Sequence, residues 1–275
     1  MNKLLMLRNY MARNKKNLCG YRIKEKGVYL EWWDESPNLG DCLAPVIFDW
    51  MIKQNNIDLH HVKQKVHLMT IGSLVGAARF DSVIWGSGIM NAYNLSNMIK
   101  HRKYVKYDLR AVRGPLTAAY LKEAGYNLEG VVYGDPGVLM PLIYNPQVKK
   151  KYKYGLISHH TKMINYKSDD CKTIDIRTSN YQSFINDILS CDKILSASLH
   201  GIILAESYNI PAVFINDGVN DQIMKYIDWY YSTNRFDFRS AATVEQAIQI
   251  EPMELPNLDK MRENLLKTFP IDLWT

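Results

Sequence analysis

Five short stretches of this chain set glycine beside a residue able to hold or move a proton. They are Pro37-Asn38-Leu39-Gly40-Asp41, Trp85-Gly86-Ser87-Gly88, Arg113-Gly114-Pro115, Tyr133-Gly134-Asp135-Pro136 and Ser198-Leu199-His200-Gly201. His200, Asp41 and Asp135 are the candidates for acid–base work, since imidazole and carboxylate groups exchange protons near neutral pH. Asn38 and Gly40 stand where a loop enters a helix, a place that favours an anion through free backbone N–H groups and the helix dipole. Gly86, Ser87 and Gly88 would let backbone approach a ligand closely. Arg113 offers a planar fork for a carboxylate or phosphate. Ser198, Leu199 and Gly201 flank the histidine as further binding candidates.

Side chains with such tasks need elements that bring them together. Val28 to Trp33 reads as a strand, and Leu43, Val46, Ile47, Trp50 and Met51 follow helical spacing after Asp41. Strand-like runs follow at 66–71, 82–85, 108–112 and 131–133, with a helix over 115–124 that Pro115 opens and Gly125 closes. Beyond the basic stretch 145–153 a second series begins. Its strands are expected at 154–158, 173–176, 193–197 and 212–215, its helices at 181–190, 201–209, 222–231, 243–250 and 258–267. Alternating apolar strands and amphipathic helices predict an α/β fold of two Rossmann-like parallel-sheet halves facing a cleft, 28–148 and 149–275. In such sheets ligands bind beyond the carboxyl ends of the strands, where all five stretches fall.

Composition narrows the function classes. The 275 residues are 47% hydrophobic and 23% charged, which is ordinary for a globular protein. The formal charge of +6 is lopsided: residues 1–27 hold eight basic side chains and one acidic, a net of +7, which leaves the rest at −1. That arm has the charge to touch an anionic membrane surface, and it lacks the apolar run of a secretory signal. With its positive charge confined to one arm and its 18 tyrosines scattered, the chain gives no sign of a nucleic-acid platform. Cys19, Cys42, Cys171 and Cys191 stand singly, as reduced thiols of a cytoplasmic protein do, and neither they nor the histidines show metal-ligand spacing.

In their order along the chain, the five stretches resemble the polysaccharide pyruvyltransferase family. The matching residues are Asn38-Leu39-Gly40-Asp41, Trp85-Gly86-Ser87-Gly88, Ala111 to Thr117 and Tyr133-Gly134-Asp135-Pro136. Gly155-Leu156-Ile157-Ser158-His159, Ser198-Leu199-His200-Gly201, Ala205-Glu206 and Ile210-Pro211-Ala212 complete the series. The resemblance implies a fold like the GT-B glycosyltransferases and transfer of pyruvate from phosphoenolpyruvate to a sugar as a ketal, with no metal or cofactor. It also implies donor-site roles for Leu199, His200 and Arg113, and makes His159 a binding candidate, although Ser158 stands where the family often has proline. The acceptor would be a saccharide of a cell-surface polysaccharide, free or lipid-linked. In that chemistry His200 binds or protonates the donor and Asp41 or Asp135 handles the hydroxyl proton. Two other readings stay open on the residues alone. One is a glycosyltransferase of the same fold, with Glu206 holding the ribose of a nucleotide sugar. The other is an inactive scaffold of an assembly complex.

Overall fold

A computed structural model describes residues 28–33, 36–59, 66–76, 81–216, 218 and 222–274. The basic arm, His60-His61 and Cys19 lie outside the described residues. The first sheet contains β1 (Val28–Glu31), β2 (Val66–Met69), β3 (Ser82–Trp85), β4 (Tyr107–Val112) and β5 (Val132–Tyr133), in that spatial order and parallel throughout. Helices α1 (Leu39–Gln54), α2 (Tyr93–His101), α3 (Pro115–Glu123) and α4 (Met140–Ile143) belong to the same half, with a 3₁₀ turn at Pro136–Leu139. The second sheet holds β6 (Tyr152–Ile157), β7 (Cys171–Ile174), β8 (Cys191–Ser196), β9 (Ala212–Ile215) and β10 (Ser240–Ala241), again all parallel. Around it run α5 (Tyr181–Leu189), α6 (Leu199–Ser207), α7 (Ile223–Ser232) and α8 (Val244–Gln249), and α9 (Asp259–Thr268) follows them in the chain.

Two parallel-sheet α/β halves make this a GT-B-like fold. Central strands β3 and β9 are buried along their whole length, which is why they read as unbroken apolar runs rather than alternating ones. In the second sheet the spatial order β10-β9-β8-β6-β7 reverses between β6 and β8. A crevice opens at such a reversal, beyond the carboxyl ends of the two diverging strands. Here those ends are Ile157, leading to His159 and His160, and Ser196, leading to His200.

The halves share one hydrophobic core rather than meeting across a wet seam. Leu39, Leu43, Ile47, Phe48 and Met51 of α1 recur at helical spacing and pack in the same buried cluster as Ile157, Leu199, Ile202 and Ile203 of the second half. Helix α7 packs on α3, and α9 crosses back to lie on β4, β5 and the 136–139 turn. Trp85 donates its indole N–H to the carbonyl of Leu265 at 3.0 Å. Arg262 of α9 donates to the carbonyls of Val138 and Ser207 at 3.0 and 2.9 Å, and so ties α9 to both halves.

Candidate active site

A cavity of about 460 Å³ lies where the carboxyl ends of both sheets converge. The first half contributes Trp33, Asn38 and Asp41, the Gly72-Ser73-Leu74 turn after β2, and Met90, Asn91, Tyr93 and Asn94 after β3. The second half contributes His160, Leu199, His200, Gln222 and Lys225.

Asp41 enters this wall from the first turn of α1. Asn38 is the N-cap in extended conformation, and its amide donates to Asp41 Oδ2 at 2.6 Å. Pro45, four residues on, has no N–H to give the carbonyl of Asp41, so that carbonyl lacks its usual helical donor. Burial pushes the Asp41 carboxyl up to about 6, against the pull of His200, Lys225 and the Asn38 hydrogen bond, and nearby Asp135 adds to the rise. A carboxylate poised there can take a proton from a hydroxyl at neutral pH.

His200 stands on the first turn of α6, one residue past the strand-to-helix turn, and is 8% exposed. Its ring lies directly on Gly40: a Cβ at that glycine would be 1.8 Å from His200 Nδ1. Behind it, fully buried Asp135 accepts from Gly137 N–H through Oδ1 at 2.9 Å. Its other oxygen lies 3.6 Å from His200 Nε2, an ion-pair separation too long for a hydrogen bond. Neither of these two buried atoms has another hydrogen-bond partner. The three acid–base candidates thus form one group, with Asp41 and His200 facing the cavity and Asp135 behind the imidazole.

Lys225 adds a cation that the sequence did not single out. Partly buried on α7, it donates to Gln222 Oε1 at 2.5 Å. Burial, reinforced by the Arg113 charge and opposed by Asp41, lowers its ammonium to about 8. His160 beside it is also shifted down, first by burial and then by Lys225. In sequence Lys225 is an ordinary helix lysine, and only tertiary packing gives it this surrounding. Of the two adjacent histidines the resemblance points to His159, but it is His160 that lines the cavity. His159 is buried, with Nδ1 2.8 Å from Thr161 Oγ1.

The other candidates serve the walls. Arg113 is fully buried and gives Nε to Asp228 at 3.1 Å, one terminal nitrogen to Ser73 Oγ at 2.8 Å and the other to the carbonyl of Ile89 at 2.5 Å. Its donors are committed inside the protein, behind Ser73. Gly88 makes room for that guanidinium, because a Cβ there would lie 2.4 Å from Arg113 Cζ. Ser87, also fully buried, donates to the carbonyl of Gly72 and accepts from Leu74 N–H, which fixes the turn after β2. Gly86 turns at φ +90° against Pro136, and Gly201 lies against Ser196 Oγ and Ile157 rather than toward a ligand. Ser198 is the extended N-cap of α6. Glu206 accepts from both terminal nitrogens of Arg235 at 2.6 and 2.8 Å and from Trp229 Nε1 at 2.9 Å, so its carboxylate is spent within the second half. Among the described residues no cluster of potential metal ligands occurs.

The family model described as polysaccharide pyruvyl transferase matches residues 67–218. An uncharacterized protein of Acanthamoeba polyphaga mimivirus is 27% identical over 201 residues, 69% of this chain and 68% of that protein. The succinoglycan biosynthesis protein ExoV of Rhizobium meliloti (strain 1021) is 22% identical over 205 residues, 72% of this chain and 62% of ExoV, less than two thirds of its length. Among solved structures, a functionally uncharacterized protein of Klebsiella pneumoniae shares the fold with a TM-score of 0.52 and 13% identity, over 88% of this chain and all of that one. The order of motifs from Asn38 to Ala212, the cleft they converge on and a family match over more than half of the chain agree: this protein belongs to the polysaccharide pyruvyl transferase family.

Proposed function

We propose that the cleft moves the three-carbon unit of phosphoenolpyruvate onto a saccharide as a ketal. The observation that carries this reading is the convergence of Asp41, His200 and Lys225 on one cavity in a chain of this family. A small donor bearing a carboxylate and a phosphate needs a cationic neighbour and further hydrogen-bond donors; Lys225 supplies the charge, and the rings of His200 and His160 line the same cavity. A hydroxyl nucleophile needs a base of matched strength, which Asp41 is.

In the first step, Asp41 takes the proton of one sugar hydroxyl as its oxygen bonds to C2 of the donor. His200 gives a proton to the methylene carbon, which becomes the methyl group. The C2–O bond to phosphate then breaks, and the phosphate leaves with its electron pair beside Lys225. A second hydroxyl closes on C2 and loses its proton. Of the two hydroxyl protons, one ends on carbon and one on phosphate, so His200 and Asp41 return to their starting states over the cycle. Asp135 acts through the imidazole, standing behind the ring and holding its place.

The acceptor on this reading is a sugar of a cell-surface polysaccharide or its lipid-linked precursor, modified on the cytoplasmic side. No described helix is long and apolar enough to cross a membrane. With Glu206 held by Arg235, the nucleotide-sugar alternative loses the residue that favoured it. A thermal-shift comparison of phosphoenolpyruvate with UDP-, GDP- and CMP-sugars tests the choice. Stabilisation by phosphoenolpyruvate that disappears in Lys225→Met is the expected result. A preference for a nucleotide sugar would overturn the reading.

A further inference from the structure

Arg113 lies outside the cavity, yet everything it holds borders on it. Its Nε pairs with Asp228, one turn along α7 from Lys225. Asp228 also accepts from Thr117 N–H at 3.0 Å and Thr117 Oγ1–H at 2.6 Å, and Thr117 Oγ1 in turn accepts from Ile89 N–H at 3.0 Å. Arg113, Thr117 and Asp228 are all fully buried. The turn and the helix touch along their backbones, since a Cβ at Gly114 would lie 2.1 Å from the carbonyl oxygen of Asp228. Through Ser73 the same guanidinium holds the turn after β2 that lines the cavity.

We infer that Arg113 serves the reaction without touching substrate: it is a positioning residue that, through Asp228 and Ser73, fixes the place of Lys225 opposite Asp41 and His200. This rests on the reading of the cleft given above. A buried network of this kind, with each guanidinium nitrogen matched to an acceptor, specifies one geometry where a loose contact would allow several. It also explains why arginine rather than lysine stands here. Three separate bonds in three directions need the guanidinium fork, and an ammonium would keep the charge but lose the geometry.

The arrangement reaches the chemistry by a second route. Lys225 has Asp41 of α1, His200 of α6, His160 after β6 and Arg113 after β4 around it, with Asp228 farther along its own helix. The Arg113 charge works with burial to lower the ammonium, so its removal should let Lys225 hold its proton to higher pH.

The decisive measurement follows Lys225 itself, by pH-dependent acylation of the intact protein read by mass spectrometry of the Lys225 peptide. No ligand is needed. In Arg113→Gln the labelling curve should move up by about half to one pH unit, which lowers the rate at pH 8 about two- to fivefold. The alkaline limb of kcat/KM for phosphoenolpyruvate should move with it. If leaving Asp228 unpaired prevents folding, the double variant Arg113→Gln, Asp228→Asn carries the same test without a lone buried charge. Arg113→Lys should leave the labelling curve nearly in place and yet raise KM for phosphoenolpyruvate about tenfold. An unmoved Lys225 curve in a folded Arg113→Gln protein, or near-normal KM in Arg113→Lys, overturns the inference. Labelling that shifts as expected in a protein that never binds phosphoenolpyruvate would instead refute the proposed function and leave the coupling of Arg113 to Lys225 standing.

Discussion

At neutral pH Asp41 is ionised in a place where burial makes ionisation costly, and the sign of that cost can be worked out. Its carboxyl is raised from 3.8 to about 6, so its extra contribution to stability is fully present below about pH 4 and is lost as pH rises through 6. Asp41→Asn should therefore make the fold more stable at pH 7 by about 1–3 kcal/mol in urea denaturation, with little gain at pH 3.5. The same change should lower kcat by about 10²- to 10⁴-fold and remove the acid limb of the rate profile near pH 6. An Asn variant that is both more stable and fully active would assign the base elsewhere. Gly40 makes a second residue-scale prediction. Gly40→Ala drives a methyl group into the His200 ring, and kcat should fall at least tenfold even where thermal denaturation shows a folded protein.

Among the elements, the reach of the sequence depends on how much of each one is buried. Strands β3 and β9 and helix α3, with Pro115 at its start and Gly125 at φ +84° after its end, match the pattern because burial, proline and glycine all leave marks in sequence. Helix α2 left no such mark, since of its nine residues only Met98 and His101 are buried. Helix α6 starts at Leu199 rather than Gly201 because Ser198 is its extended N-cap, which puts His200 inside the first turn. Glu206, two turns on, illustrates what a local pattern cannot give, as its partner Arg235 lies beyond α7. Breaking that buried pair with Arg235→Met should destabilise the fold by about 3–5 kcal/mol. In molecules that remain folded, KM for phosphoenolpyruvate should change less than about twofold. A large rise in KM would place Glu206 against the substrate after all.

The whole molecule explains why the candidate site was only half legible. Asp41, His200 and Asp135 stand at strand-to-helix turns, and the rule that ligands gather at carboxyl ends of parallel strands was enough to select them. Lys225, His160, Trp33 and Ser73 owe their place to the packing of one half on the other, which no local spacing encodes. Arg113 and Glu206 carry the right chemistry for a ligand, but the fold spends them on Asp228 and Arg235. An aspartate flanked by Ile227, Trp229 and Tyr230 was a sign of a buried partner, because an isolated carboxylate in apolar surroundings is too costly to keep. Transfer of pyruvate from phosphoenolpyruvate to a saccharide in this cleft, with His200 and Asp41 moving the protons, is a proposal that mass spectrometry can decide. Candidate glycans and lipid-linked sugars would be incubated with phosphoenolpyruvate and either the native protein or His200→Gln. The expected result is a gain of about 70 daltons on one acceptor, with one phosphate released per ketal, and its near-complete loss in the variant. A modified acceptor made equally fast by His200→Gln, or transfer of a hexose mass from a nucleotide sugar by the native protein, would contradict it.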